Sequence, residues 1–386
     1  MTLVTRFLRK PHRSSFLFGP RGTGKTTWLR QVFGDVPTLD LLDAETYRSF
    51  SARPERLREW LAGQGRPAWV VIDEVQRVPS LLDVVHQVME QKSGVRFVLT
   101  GSSARKLRRA GVNLLAGRAS ILTLHPFMAA ELGDAFDLDE ALDSGLVPVI
   151  HGAEIRHEAL AAYIGGYLEQ EVKAEALVRH VGDFSRFIET VSFSHGAILN
   201  VAEVARECQI NRNTAQGYMS VLEDLLIGFT VPVFSRRAKR ILVGHPKFYY
   251  FDAGVFRAAR PRGPLDRREE ISGPALEGLV AQHLRAWLAY RGHGDARLFY
   301  WRTKSGCEVD FVVYGEGVFA AVEVKHSSQV HRKDVRALKT FREDYPEATA
   351  CLAYCGRDRL IIDGIPCIPC GDFLRSLDPR QPAWPT

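Results

Sequence analysis

Short apolar runs without alternation recur along the first third of the chain. They fall near 15–18, 38–42, 68–72, 95–100 and 119–124. Runs of this length mark strands buried on both faces. The stretches between them have helical spacing, Thr27 to Val32 being the clearest. Buried strands alternating with helices predict an α/β domain built on a parallel sheet. From Phe184 the pattern changes to three short amphipathic helices, Ser185 to Phe193, Asn200 to Cys208 and Asn213 to Leu226, followed by a β-like run through Phe251. After Gly263-Pro264 the chain restarts with a helix containing Glu277. Three strand-like runs follow: RLFYWRT, the run ending CEVDFVV, and VFAAVEVKHSS.

With 386 residues the chain suggests two or three domains rather than one core. The formal charge is +6 and Arg greatly outnumbers Lys. A polyanionic partner fits that balance, and so does an arginine-rich composition with no such partner. No apolar run reaches 18 residues and the N-terminus lacks a signal-peptide core, so a soluble cytoplasmic protein with no membrane partner is expected. The six cysteines do not form a secreted disulfide pattern. Cys351, Cys355, Cys367 and Cys370 have spacings that suit either a metal site or small buried apolar side chains.

The strand-like Phe16-Leu17-Phe18 runs into GPRGTGKTT, a complete G-x-x-x-x-G-K-[ST] loop. Its glycines, Gly19, Gly22 and Gly24, let successive N–H groups turn inward toward phosphate oxygens, with Pro20, Arg21, Thr23 and Thr27 completing the cradle. Lys25 is placed to neutralise β/γ charge and Thr26 to ligate Mg²⁺, so ATP with Mg²⁺ is the expected cofactor. A second apolar run ends in Asp73-Glu74. There Asp73 can hold Mg²⁺ through water, and Glu74 can polarise the attacking water. The third run ends in Thr100-Gly101-Ser102-Ser103, where Thr100 or Ser102 is the candidate polar sensor, or simply part of a turn. Arg118, just ahead of the next strand, is either an arginine finger for a neighbouring subunit or a surface arginine.

GPRGTGKTT, VVIDEVQRVP, VLTGSSARKL and LAGRA together resemble the AAA+ ATPases, in particular an uncharacterised bacterial and archaeal branch. The resemblance implies strand order 5-1-4-3-2 and a homo-oligomer, with a hexameric ring favoured, that completes its sites between subunits. It also implies a core over 1–126 and a helical lid over 127–183, where Arg156 is the candidate second sensor.

NVAEVARECQINRNTAQGYMSVLEDLLIG has the helix, turn and second helix of a helix-turn-helix, and the run after it resembles a wing. Residues 184–262 thus read as a winged-helix domain. Arg212, Asn213 and Gln216 open the second helix, and Arg236, Arg237, Lys239 and Arg240 cluster at the wing tip. These seven suit phosphate contacts with DNA, although a winged helix can equally be a packing module.

In the last third, Glu323 and Lys325 share one strand face and Asp310 lies on the preceding strand. That arrangement resembles the PD-(D/E)xK nucleases and implies a restriction-endonuclease-like α/β domain over 263–386. In that family Asp310 and Glu323 would hold Mg²⁺, Lys325 would position water, and Glu277 would complete the shell. The same charges also suit an ordinary ion-paired face. Three functions stay open on this reading: a DNA-stimulated motor acting on duplex or branched DNA, a slow nucleotide switch for protein partners, and a nuclease gated by ATP.

Overall fold

The computed structural model describes residues 3–65, 67–91, 93–101, 118–168, 181–236, 244–264, 266–292, 295–381 and 384. Ser102, Arg237, Lys239 and Arg240 lie outside them. The chain divides into two compact units: Leu8–His125 with Asp224–Leu226, and Met1–Phe7 with Pro126–Glu223 and Ile227–Thr386.

The first unit is a five-stranded parallel sheet. Its strands are β1 (Ser15–Phe18), β2 (Thr38–Asp40), β3 (Trp69–Asp73), β4 (Arg96–Gly101) and β5 (Ser120–Thr123), in the order β2-β3-β4-β1-β5. Read from the other edge this is the 5-1-4-3-2 order that the motifs imply. β1 and β3 are buried along their whole length, which explains why their sequences run apolar without alternation. The helices are α1 (Lys25–Phe33), α2 (Ala44–Ala52), α3 (Arg56–Gly63) and α4 (Leu81–Glu90). On α4, Leu81, Val84, Val85 and Val88 recur at helical spacing and are buried in one core with Phe16, Val70, Ile72 and Phe97. For function the decisive point is that β4 lies between β1 and β3, so the ends of all three strands share one edge of the sheet.

The second unit begins with short helices, Ala129–Leu132, Leu138–Ser144, Pro148–His151 and Arg156–Ala162. Three more follow, Val181–Ser192, Val201–Glu207 and Arg212–Asp224. Asn200 caps the second of these by accepting from Glu203 N at 3.3 Å, and Asn211 accepts from Thr214 N at 2.8 Å at the start of the third. Phe184 and Phe187 of the first of these helices meet Tyr218 of the third through ring contacts. A small antiparallel sheet completes this region: β6 (Ala197–Ile198), β7 (Gly228–Val231) and β8 (Lys247–Tyr250), in the order β6-β8-β7.

A 24-residue helix, Arg268–Arg291, then leads to a mixed six-stranded sheet. Its strands are β9 (Arg297–Arg302), β10 (Glu308–Gly315), β11 (Val318–Lys325), β12 (Thr349–Tyr354), β13 (Leu360–Ile362) and β14 (Ile365–Pro369), in the order β13-β14-β12-β11-β10-β9. Residues well ahead of the Gly263-Pro264 break also serve this sheet. Tyr300 N donates to Pro232 O at 3.0 Å and Phe234 N to Tyr300 O at 2.7 Å, so the segment leaving β7 covers the edge strand β9. Phe234 is thereby buried among Trp301, Phe341 and Tyr345.

Candidate functional site

The glycine-rich loop connects β1 to the N-terminus of α1, where the backbone N–H groups of a helix start and the helix dipole favour an anion. Gly24 caps α1 with φ 87°, and open space surrounds the position a Cβ would take, which leaves room for a phosphate. Gly19 packs so closely that a Cβ would stand 2.6 Å from the Leu124 carbonyl oxygen. Thr23 is buried and donates to Pro20 O at 2.7 Å, locking the curl. Arg21, Thr26 and Thr27 are exposed. Lys25 begins α1 and its ammonium donates to Gly19 O at 2.7 Å and Pro20 O at 3.3 Å. These carbonyl bonds hold the lysine over its own loop.

Beside the loop, Thr26 Oγ1 donates to Asp73 Oδ2 at 3.4 Å. The buried Thr100 hydroxyl, on the strand between, donates to Asp73 Oδ1 and accepts from Glu74 N at 3.1 Å. Thr100 therefore orients the two carboxylate residues. Glu74 adopts the left-handed conformation, φ 57°, and its carboxylate accepts from the Gln76 amide. Hard oxygen donors from Thr26 and Asp73 meeting beside an anion cradle fit Mg²⁺, and those two residues would hold it. Arg118 is half-exposed and bonds to His86 and, at 3.2 Å, to Glu90, both on α4.

A second acidic cluster lies in the other unit. Glu277 comes from the helix Arg268–Arg291, Glu308 and Asp310 from β10, and Glu323 with Lys325 from β11. A register shift between Val309 and Val312 in the pairing of β10 with β9 marks a bulge at Asp310. Asp310 Oδ2 accepts from Val324 N at 2.8 Å, and Lys325 donates to Glu323 Oε1 at 2.6 Å. The centre is taken by an unpredicted residue. Lys247 of β8 places its ammonium 2.9 Å from Glu277 Oε1, 2.5 Å from Glu308 Oε1 and 3.6 Å from Asp310 Oδ1. Tyr249, two residues on, donates to Glu277 Oε1 at 2.6 Å, and Arg302 pairs with Glu308 at 3.0 Å.

Burial pushes the Glu277 carboxyl up to about 7, with Asp310 adding to the effect and Lys247 opposing it. Glu323 is held well above the ordinary carboxylate range by burial and by Asp310. Burial works against the Lys247 charge, but Glu277, Asp310 and Glu308 outweigh it and raise its pKa, so the ammonium stays protonated. As arranged, these carboxylates do not fit a divalent ion, because an ammonium stands among them. Among the described residues no group of three or more His, Cys, Asp or Glu side chains is arranged to hold a metal.

Residues 11–133 match the family described as an AAA domain. The nucleotide-binding domain is of the AAA P-loop type. Residues 135–266 and 272–373 match two families described as domains of unknown function. Uncharacterised proteins of Mycobacterium bovis and Mycobacterium tuberculosis are each 27% identical over 382 residues, covering 96% of this chain and 83% of the relative. Beyond the AAA domain, Arg212, Asn213 and Gln216 are exposed on the helix Arg212–Asp224, whose Ala215, Tyr218, Met219 and Leu222 are buried. Arg236 is exposed and lies over the Tyr314 ring, 5.0 Å from its centroid. Arg156 pairs with Glu140 at 2.6 Å. Burial pushes the Cys351 thiol up to about 12 and Cys355 to about 11, and raises Cys370 further, so these thiols are protonated. No helix in the described residues is long and apolar enough to cross a membrane.

Sequence reasoning missed Gln76, Lys247, Tyr249 and Glu308 as site residues. Glu308 had a signal, since it stands two positions from Asp310 on one strand. So did Lys247, a lone cation in the aromatic strand KFYYF.

Proposed function

We propose that the chain is a Mg²⁺-dependent ATPase that works as a homo-oligomer on duplex or branched DNA. The hydrolytic half rests on the AAA domain and its residues. The loop N–H groups and Lys25 bind the β- and γ-phosphates, Thr100 holds Asp73 and Glu74 in register, and Glu74 orients the attacking water. Bound by Thr26 and Asp73, Mg²⁺ supplies charge neutralisation at the phosphate oxygens. In the oligomer Arg118 exchanges its Glu90 partner for the γ-phosphate of the adjacent subunit.

The DNA-binding half is carried by one observation: a helix that buries Ala215, Tyr218, Met219 and Leu222 presents Arg212, Asn213 and Gln216 outward at its first turn and a half. Three helices with a small antiparallel sheet are the parts of a winged helix, and this is the face such a module turns to phosphates. The test is ATP hydrolysis with and without duplex, single-stranded and four-way-junction DNA, beside a Lys25→Ala control. Stimulation that depends on DNA structure supports the reading; equal turnover on every DNA defeats it.

A second reading, a slow nucleotide switch for protein partners, is favoured by the Gln76 amide that holds the Glu74 carboxylate. It predicts turnover that is low and indifferent to DNA.

A further inference from the structure

The acidic cluster of the C-terminal sheet has the donors of a divalent-cation site. Carboxylates of Glu277, Glu308 and Asp310 converge from a helix and a bulged strand on a single point. Glu323, 5% exposed, adds an oxygen, Oε2, that is buried with no hydrogen-bond partner. A buried carboxylate oxygen left unpaired is costly, and a cation is one partner that would satisfy it. Yet the convergence point holds a protein cation: the Lys247 side chain is 2% exposed and reaches three carboxylates from β8, a strand of a different sheet. Mg²⁺ needs near-octahedral oxygen ligation at about 2.0–2.1 Å and tolerates no ammonium inside that shell.

We propose that Lys247 is a built-in cation filling this site, so that the cluster takes a divalent metal ion only when Lys247 is withdrawn or replaced. β8 thereby closes the site, and Tyr249 strengthens the closure through its bond to the same Glu277 oxygen that Lys247 holds. Withdrawal of β8 would carry both residues away and leave the Glu277, Glu308 and Asp310 carboxylates to a metal. The inference stands on the cluster alone and does not depend on DNA binding.

The test uses the nucleotide-free full chain carrying Asp73→Asn, which silences the nucleotide-side metal position, and counts bound Mn²⁺ from the loss of the free-ion EPR signal. With Lys247 present, no Mn²⁺ should bind at concentrations where the Lys247→Met form takes one equivalent. Adding Asp310→Asn to that form should abolish the gain. If Lys247→Met does not fold, Lys247→Gln replaces it, retaining a donor for Glu277. One equivalent bound by the Lys247 chain and removed by Asp310→Asn overturns the proposal. So does a folded Lys247→Met or Lys247→Gln form that gains no Mn²⁺.

Discussion

The molecule holds two acidic sites, each with a lysine, and the origin of the lysine separates them. In the AAA domain Lys25 comes from the glycine loop itself and is held by carbonyls of that loop, while Thr26 and Asp73 meet alongside. In the C-terminal sheet Lys247 arrives from another sheet and lands on the carboxylates. The first arrangement keeps a cation beside the position of an incoming phosphate. The second spends its cation on internal charge, converting ligand-type residues into a tie between β8, β10 and the helix Arg268–Arg291. Carboxylates at strand ends do not by themselves make a metal site; what the neighbouring element puts between them decides.

The contrast is sharpest when each lysine is removed. Lys25→Ala should lower ATP turnover by about 10²–10³-fold, because a charge aimed at the transferring phosphoryl group is lost; phosphate release measures it, and the urea unfolding of the second unit should not move. Lys247→Met should instead act on stability, costing about 3–5 kcal/mol because buried carboxylates lose their partner. Urea unfolding followed by tryptophan fluorescence reads this, and a loss below about 1 kcal/mol would mean the cluster is not a tie.

Acid acts on the second unit through a different group, His283, and in the opposite direction to the raised carboxyls of Glu277 and Glu323, which take up protons more readily in the folded chain. His283 is buried and neutral, its Nδ1–H donating to Leu279 O and its Nε2 accepting from Ala129 N. Burial lowers its pKa from 6.5 to about 4. Below pH 6.5 the unfolded chain takes up a proton that the folded chain refuses, so this stabilisation is complete above 6.5 and is lost as pH falls through 4. It amounts to about 3 kcal/mol over that window. Denaturation of the native and His283→Gln chains at pH 7 and pH 4.5 isolates it, since His195, Glu277 and Glu323 titrate in both; on acidification the native chain should lose about 3 kcal/mol relative to His283→Gln. The smallest effect is expected at Gln76. Freeing Glu74 from one hydrogen bond of about 1 kcal/mol should raise basal turnover about five-fold in Gln76→Ala.

Most of the first unit was legible because its signals are local. β1 and β3 are continuous apolar runs since both faces are covered, and GPRGTGKTT and Asp73-Glu74 follow them directly. Thr100 was found as a polar strand tip, but its bond to Asp73 depends on β4 lying between β1 and β3, a fact of topology rather than of neighbouring residues. Asp310, Glu323 and Lys325 were identified by type and spacing and Glu277 through the resemblance to the PD-(D/E)xK nucleases, and the structure brings them together. Lys247 was not found, because 30 residues separate it from Glu277 and the pairing is set by how β8 meets a sheet that forms later in the chain. Phe234 was missed for the same reason: it reads as part of a wing and is buried in the C-terminal core.

The most direct measurement is the number of Mn²⁺ ions bound per chain at saturating non-hydrolysable ATP analogue. The account predicts one, held with the nucleotide and lost in Asp73→Asn. A second ion that survives Asp73→Asn and is removed by Asp310→Asn would contradict it.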